Sequence, residues 1–176
     1  MIGITILVDE HKNIVHFTNI LEGKLVDVLD HGDLDTDYFR KCIRFIREYA
    51  DGHHHKKEEG LLFEKILDEL GAVAEKLVRG GMLVEHDLAR YTVGEWEKSL
   101  QAYDEEPTSL NKLNILSHGM AYVYLLRRHI IKEDGVLYPF AEKNLSEASK
   151  HEINEKTEQL EAEKPDFSEF TEFFIA

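Results

Sequence analysis

Long amphipathic segments with very little proline are the feature that most restricts how this chain can fold. The 176 residues include three prolines and eleven glycines, and 32% of them are charged. Along most of the chain, apolar residues recur at steps of three and four, which places them on one face of an α-helix. The pattern predicts an all-α protein. Because the connectors between the long helices are short, it favours an up-down-up-down antiparallel four-helix bundle.

The apolar stripes, together with helix start and stop signals, set the predicted boundaries. Gly32 and Gly71 are expected to end helices, and Gly80-Gly81 to separate a short helical piece from the next long helix. The β-branched first eight residues could be extended, and Pro139 is expected to kink its helix. The predicted helices span about 5–30, 35–71, 82–103, 108–144 and, shorter and more polar, 146–163. We therefore predict a domain over 1–145, followed by a C-terminal helix and aromatic tail over 146–176.

Composition and charge exclude several classes of protein. Lys and Arg number 21 against 35 Asp and Glu, a formal net charge of −14, which argues against a nucleic-acid partner. No apolar run reaches the roughly 20 residues that a membrane-spanning helix needs, and the N-terminus lacks the features of a secretory signal. A cytoplasmic protein is expected. The single cysteine, Cys42, excludes an internal disulfide and a cysteine-based metal site.

Each of the four long helices carries a histidine inside its apolar stripe. They are His11, His54, His86 and His129. Two of them are followed four residues later by a glutamate on the same helix face, giving the pairs His54–Glu58 and His129–Glu133. Burying an ionised carboxylate without a positive partner costs several kcal/mol. The pattern therefore predicts a pair of metal ions between the helices.

The face that these pairs occupy matters more than their spacing. Two further His-x-x-x-Glu pairs occur in the chain. His55–Glu59 lies on the flank of the second stripe and His151–Glu155 in the polar fifth helix, and both are interpreted as solvated pairs. The spacing Glu-x-x-His, typical of ferritin-like di-iron bundles, does not occur.

The donor types indicate which metals fit. Imidazole and carboxylate together suit iron, manganese or zinc, whereas calcium and magnesium prefer oxygen alone. If Glu58 and Glu133 bridge two ions, each ion would take two imidazoles and one oxygen from each bridge. A solvent bridge would then leave five-coordinate ions with room for one external ligand.

Four sequence strings resemble the hemerythrin-like (HHE cation-binding) family. The resemblance covers residues 1 to about 145 through Glu10-His11 and the strings at 50–63, 81–90 and 125–139. It implies a four-helix bundle around a non-haem di-iron centre. The residues that take the ligand roles are then His11, His54, Glu58, His86, His129 and Glu133.

Two departures separate this chain from the oxygen-carrying hemerythrins. Their third helix supplies two histidines four residues apart, whereas here Arg90 follows His86 at that spacing, so one imidazole is lost. The fourth helix pairs His129 with Glu at +4, where the carriers use Asp at +5. Related family members are linked to sensing of oxygen, nitric oxide or redox state, to iron handling, and to repair of iron centres.

Three further residues are candidates for positions behind the ligands or in a ligand pocket. Tyr122 could hydrogen-bond a bound ligand, and Arg90 could steady Glu58, Glu133 or an anionic ligand. His118 lies 11 residues before His129, about 16 Å along a continuous helix, so it cannot share the metal pair and could partner Tyr122.

The leading hypothesis is a protein that binds or senses oxygen or a related small ligand, such as nitric oxide or peroxide, at two non-haem iron ions. Zinc or manganese are alternative metals. A redox enzyme or an iron-handling or iron-centre repair protein would use the same site, so enzymatic activity stays open. A His-Asp phosphohydrolase, suggested by His86-Asp87, and a structural zinc site are weaker alternatives. The aromatic tail either caps the bundle or docks to a protein partner.

Overall fold

Helices are the regular structure of residues 1–175, the part of the chain that the computed structural model describes, and no strand occurs there. The predicted all-α class is confirmed. The long helical stretches, here called rods 1 to 4, span residues 2–31, 36–69, 71–105 and 109–144. Rod 1 is α1 (Ile2–His31), and the α-helical parts of the others are α2 (Thr36–Phe45), α3 (Glu64–Glu69), α4 (Gly71–Leu77), α5 (Leu83–Glu105), α6 (Ser109–Lys132) and α7 (Tyr138–Asn144).

The first rod begins earlier than predicted, and its end is as predicted. The possible extended segment at residues 1–8 is helical from Ile2, because Ile4 and Leu7 are buried and this packing outweighs the strand preference of β-branched residues. Gly32 and Gly71 have positive φ angles of 84° and 64°, so both glycine stops are confirmed.

Rods 2, 3 and 4 contain π-helical turns, which the apolar periodicity did not predict. Their hydrogen bonds run from residue i to i+5, so each turn holds more residues than an α-helical turn. One such turn carries the chain through Gly80-Gly81, where a break was predicted, and another precedes Pro139, which stands in the first turn of α7. The π segments are Ile46–His55, Glu58–Phe63, Val78–Met82 and Glu133–Leu137.

Two apolar clusters lie on either side of a polar layer. On rod 1, His11 lies between Leu7 of one cluster and Ile14 of the other, and on rod 4 Glu133 lies between Ile130 and Leu137. The candidate ligands are thus enclosed by apolar packing above and below. This arrangement removes water from the layer and strengthens its electrostatic interactions.

The C-terminal segment packs against the first two rods. Helix α8 (Glu147–Ala162) approaches rod 1 closely at Gly3, whose backbone N–H donates to Asn154 at 2.9 Å. After it, a 3-10 helix (Ser168–Phe173) inserts Phe173 between Phe17 and Phe45, with ring centroids 5.0 and 5.1 Å away. Among the described residues, none of the helices is both long and apolar enough to cross a membrane.

We predict that Gly52 is required by the π-helical turn in rod 2. A Cβ atom at this position would lie 2.8 Å from the backbone oxygen of Arg47, which cannot move without changing the turn. Gly52→Ala should lower the free energy of unfolding by about 1–3 kcal/mol. Gly60→Ala is the matched control, because nothing lies within 4 Å of its Cβ, and it should be neutral or stabilising by up to about 1 kcal/mol. Equal effects in denaturant unfolding would contradict this account.

We also predict that the aromatic tail stabilises the fold. Phe173 is fully buried, so Phe173→Ala should lower the free energy of unfolding by about 3 kcal/mol. Ile175→Ala, at a side chain 54% exposed, should change it by less than about 0.5 kcal/mol. A Phe173→Ala protein as stable as the parent chain would show that the tail does not hold the rods together.

Candidate metal centre

Seven buried side chains from the four rods meet in the polar layer. All six ligands predicted from the sequence are among them, and none is more than 2% exposed. The seventh is His55, at 3%. The members are His11, His54, His55, Glu58, His86, His129 and Glu133.

The seven side chains form two groups that share one carboxylate. Within each group, the nitrogen and oxygen donor atoms lie within 4.8 Å of one another. Glu58 belongs to both groups, which is the arrangement that a bridging carboxylate needs. One group is His55, Glu58, His86 and His129, and the other is His11, His54, Glu58 and Glu133.

Two imidazole nitrogens face each other across the first group. The Nε2 atoms of His86 and His129 are 3.0 Å apart. Each ring places its Nδ1 against a carboxylate, Glu59 at 2.7 Å and Glu85 at 3.0 Å, and an ionised carboxylate only accepts, so Nδ1 donates. In their neutral forms, both rings present an Nε2 lone pair to the same space, where one cation could be coordinated by both.

The centre of the site also holds polar atoms without partners. The Nε2 atom of His54, Oε2 of Glu58 and both carboxylate oxygens of Glu133 are buried and accept or donate no hydrogen bond within residues 1–175. Unsatisfied buried polar atoms are rare and mark a strain or a missing ligand. Imidazole and carboxylate donors that converge in this way fit a pair of borderline metal cations.

A ring of carboxylates fixes the outer nitrogens of the histidines. On each rod, an acid adjacent in sequence to a candidate ligand accepts the Nδ1–H of a histidine on the next rod, and the fourth rod returns to the first. Such contacts orient metal-binding imidazoles and raise their basicity. The pairs are His54–Glu10 (2.8 Å), His86–Glu59 (2.7 Å), His129–Glu85 (3.0 Å) and His11–Asp134 (2.7 Å).

The two central carboxylates have opposite pKa shifts. Burial and the charge of Glu133 raise the pKa of Glu58 well above its ordinary value. Burial acts in the same direction on Glu133, but the charge of His129 and the close imidazoles of His11 and His129 hold its pKa well below the ordinary value. Two carboxylates this close cannot both ionise without a nearby cation. Metal ions would supply that charge and favour loss of the proton from Glu58.

The pKa values of the histidines are also shifted in opposite directions. Burial and the charge of His11 lower the pKa of His54 to about 4, and burial with the charge of His86 lowers the pKa of His55. Burial also acts to lower the pKa of His11, but its hydrogen bond to Asp134 and the close carboxylate of Glu133 raise it to about 10. His54 and His55 are therefore neutral near pH 7, the form that ligates metal.

The interpretation of His55 as a solvated residue was wrong. Its ring stacks on His86 with centroids 3.8 Å apart, and its Nδ1 donates to Asp51 at 3.2 Å. The physical reason is the π-helical turn Ile46–His55, which reduces the rotation between neighbours and lets His54 and His55 both face inward. With His55, five imidazoles reach the polar layer.

Sequence reasoning also missed Tyr138. Its hydroxyl donates to Oε1 of Glu58 at 2.6 Å and lies 3.4 Å from Nε2 of His11. It follows Glu133 by five residues, across the π turn Glu133–Leu137, so α-helical spacing gave no signal. The phenol occupies one oxygen of Glu58 and leaves the other directed at the histidines.

Arg90, Tyr122 and His118 were expected behind the ligands or in a ligand pocket, and the contacts of Arg90 differ from the expected ones. Arg90 was expected to steady Glu58, Glu133 or an anionic ligand; it contacts neither of these glutamates and instead binds Asp51 and Glu59, both at 2.7 Å. It thereby steadies the carboxylates that His55 and His86 use. Arg90 is itself partly exposed, so its guanidinium group meets these partly exposed acids and not the fully buried carboxylates.

Tyr122 and His118 do not pair with each other. The Tyr122 hydroxyl is buried without a partner within residues 1–175 and lines a cavity of about 80 Å³ that also borders His55 and Arg90. The Nδ1 atom of His118 lies 2.9 Å from the hydroxyl of Ser99, and His118 is in neither donor group. A role for Tyr122 in a ligand pocket stays a prediction.

Comparisons with known proteins bear on the same residues. Searches of curated proteins and of solved structures found no significant match. The family model described as "Hemerythrin HHE cation binding domain" matches residues 2–141 and so includes every member of both donor groups. This match spans well over half of the chain. The protein therefore belongs to the hemerythrin HHE cation-binding family and is a metal-binding protein.

Proposed function

We propose that this chain holds two non-haem iron ions and binds oxygen or a related small ligand, such as nitric oxide or peroxide, at an open coordination position. The observation that carries the proposal is the convergence of five imidazoles and two carboxylates in the buried layer, with polar atoms of His54, Glu58 and Glu133 left without partners within residues 1–175. Reduced iron would supply the electrons that such a ligand accepts. The proposal includes antiparallel up-down-up-down packing of the four rods and a cytoplasmic location.

The imidazoles are shared unequally between the two proposed ions. His55, His86 and His129 would serve one ion, and His11 and His54 the other, with Glu58 and Glu133 as bridges. Glu133 supports this role because its Oε2 lies 3.1 Å from His129 Nε2 and 3.3 Å from His11 Nε2. The ion with two imidazoles has one protein donor fewer. We therefore place the open position there.

Side chains around this proposed open position fix the orientation of its ligands. Asp134 and Glu10 fix the rings of His11 and His54, and Tyr138 holds one oxygen of Glu58. The apolar residues on both sides of the layer exclude bulk water. The cavity beside Tyr122 and Arg90 borders His55, a proposed ligand of the other ion, and does not border His11 or His54, so it is not the approach to this position.

The ligand assignment predicts different metal contents for different variants. Glu58→Ala and Glu133→Ala should lose most bound metal because each removes a bridge. His55→Ala should lower the affinity for one ion by at least about tenfold and leave the other ion bound. His118→Ala is the control and should keep two ions per chain. The measurement is elemental analysis with an anaerobic ferrous titration. Two tightly bound ions in His55→Ala would rule out a fifth imidazole ligand.

A spectroscopic test separates the proposed function from its alternatives. The purified protein should contain two irons per chain, and its reduced form should give one stable new absorption band on exposure to oxygen or nitric oxide. Repeated consumption of peroxide, or delivery of iron to an acceptor, would instead identify a redox enzyme or an iron-handling protein. A colourless protein that keeps zinc and ignores all three reagents would indicate a structural site.

A further inference from the structure

A second buried polar cluster lies directly outside the proposed ligands. Its members are Glu10 of rod 1, His53 and Lys57 of rod 2, and Glu161 of α8. Lys57 is only 2% exposed, whereas lysine is almost never buried without a charged partner. Glu161 lies beyond residues 2–141, so the family match covers only the other three members of this cluster.

The ammonium group of Lys57 is the centre of the cluster. It donates to Oε1 of Glu10 and to Oε1 of Glu161, and lies 3.0 Å from Nε2 of His53. The same His53 nitrogen is 2.9 Å from Glu10 and 3.1 Å from Glu161. Glu10, His53 and Glu161 have the donor types of a third metal site. Because Lys57 already places a positive charge among these atoms, the cluster needs no metal.

Glu10 connects this cluster to the proposed metal centre. One of its oxygens, Oε1, faces Lys57, and the other, Oε2, accepts the Nδ1–H of His54 at 2.8 Å. A continuous series of hydrogen bonds therefore runs from Glu161 through Lys57 and Glu10 to His54. The more strongly Lys57 is held by Glu161, the more negative charge Glu10 keeps for His54. A carboxylate that accepts from a ligating imidazole strengthens that imidazole as a donor.

We propose that Lys57 and Glu161 are positioning residues for the ion bound by His11 and His54, so that the C-terminal helix adjusts one of the two metal sites. The proposal rests on the ligand role of His54 in the proposed function. When Glu161 loses its charge, Lys57 interacts more strongly with Glu10. Glu10 then accepts less strongly from the Nδ1–H of His54, which makes His54 a weaker metal ligand. His55, His86 and His129 place their Nδ1 atoms on Asp51, Glu59 and Glu85, outside this series, so the ion that they would hold should be unaffected.

The test uses the full chain loaded anaerobically with ferrous iron. In Glu161→Gln, one of the two ions should transfer to a chelator about 3- to 10-fold faster than in the parent chain, and the other at the parent rate. Glu158→Gln makes the same charge change on an exposed residue of the same helix and should match the parent. Equal acceleration of both ions, no acceleration, or a third ion per chain would overturn the proposal.

A double-mutant cycle shows whether the effect passes through Glu10. Glu10→Gln should speed loss of the same ion by about 10- to 100-fold. Adding Glu161→Gln to Glu10→Gln should then change little, because the connection is already broken. A full additional effect would mean that Glu161 acts only by anchoring α8, which contradicts the proposal.

A second measurement does not depend on metal release. In the zinc-loaded protein, the Nδ1–H proton resonance of His54 should shift in Glu161→Gln and not in Glu158→Gln; an unchanged resonance would overturn the proposal. His54→Ala tests the underlying function separately. If it leaves both ions in place, the ligand assignment fails. If it removes one ion while Glu161→Gln has no effect, only this inference fails.

Discussion

The two carboxylates at the centre of the molecule are the constraint on which the rest of the structure depends. Glu58 and Glu133 are both fully buried and lie among five histidines. An isolated carboxylate in such a place costs several kcal/mol, and two of them repel each other. The surrounding imidazoles, the phenol of Tyr138 and the proposed ions all compensate this charge. The pKa is raised for Glu58 and lowered for Glu133, so the surrounding side chains favour the charged form of one carboxylate and not of both.

The outer carboxylates extend this compensation to the surface. Each rod carries an acid beside its ligand, and that acid orients a histidine of a neighbouring rod. Basic residues then balance the acids: Arg90 binds Asp51 and Glu59, Lys132 binds Glu85, and Lys57 binds Glu10. Charges thus alternate from the centre outwards. The same contacts that set the chemistry of the imidazoles also hold the rods together, so stability and metal binding share their residues.

The sequence was sufficient for the all-α class and for six of the seven residues at the centre. His11, His54, Glu58, His86, His129 and Glu133 follow the helical stripes, because a polar residue in an apolar stripe must face the interior. The inward positions of His55 and Tyr138 were not predicted, because π-helical turns change the number of residues per turn and a periodicity of three and four does not reveal this. The acids beside the ligands are visible in the sequence, but their partners lie on other rods. For the same reason, the contact of Glu161 with Lys57 required the folded chain.

The most direct test of the central claim is anomalous diffraction at the iron edge from crystals of the iron-loaded protein. Our account predicts two peaks in the buried space between Glu58 and Glu133. One peak should lie within bonding distance of His55, His86 and His129, and the other within bonding distance of His11 and His54. A single peak, a peak among Glu10, His53 and Glu161, or a centre without metal and with either carboxylate turned to solvent would contradict it.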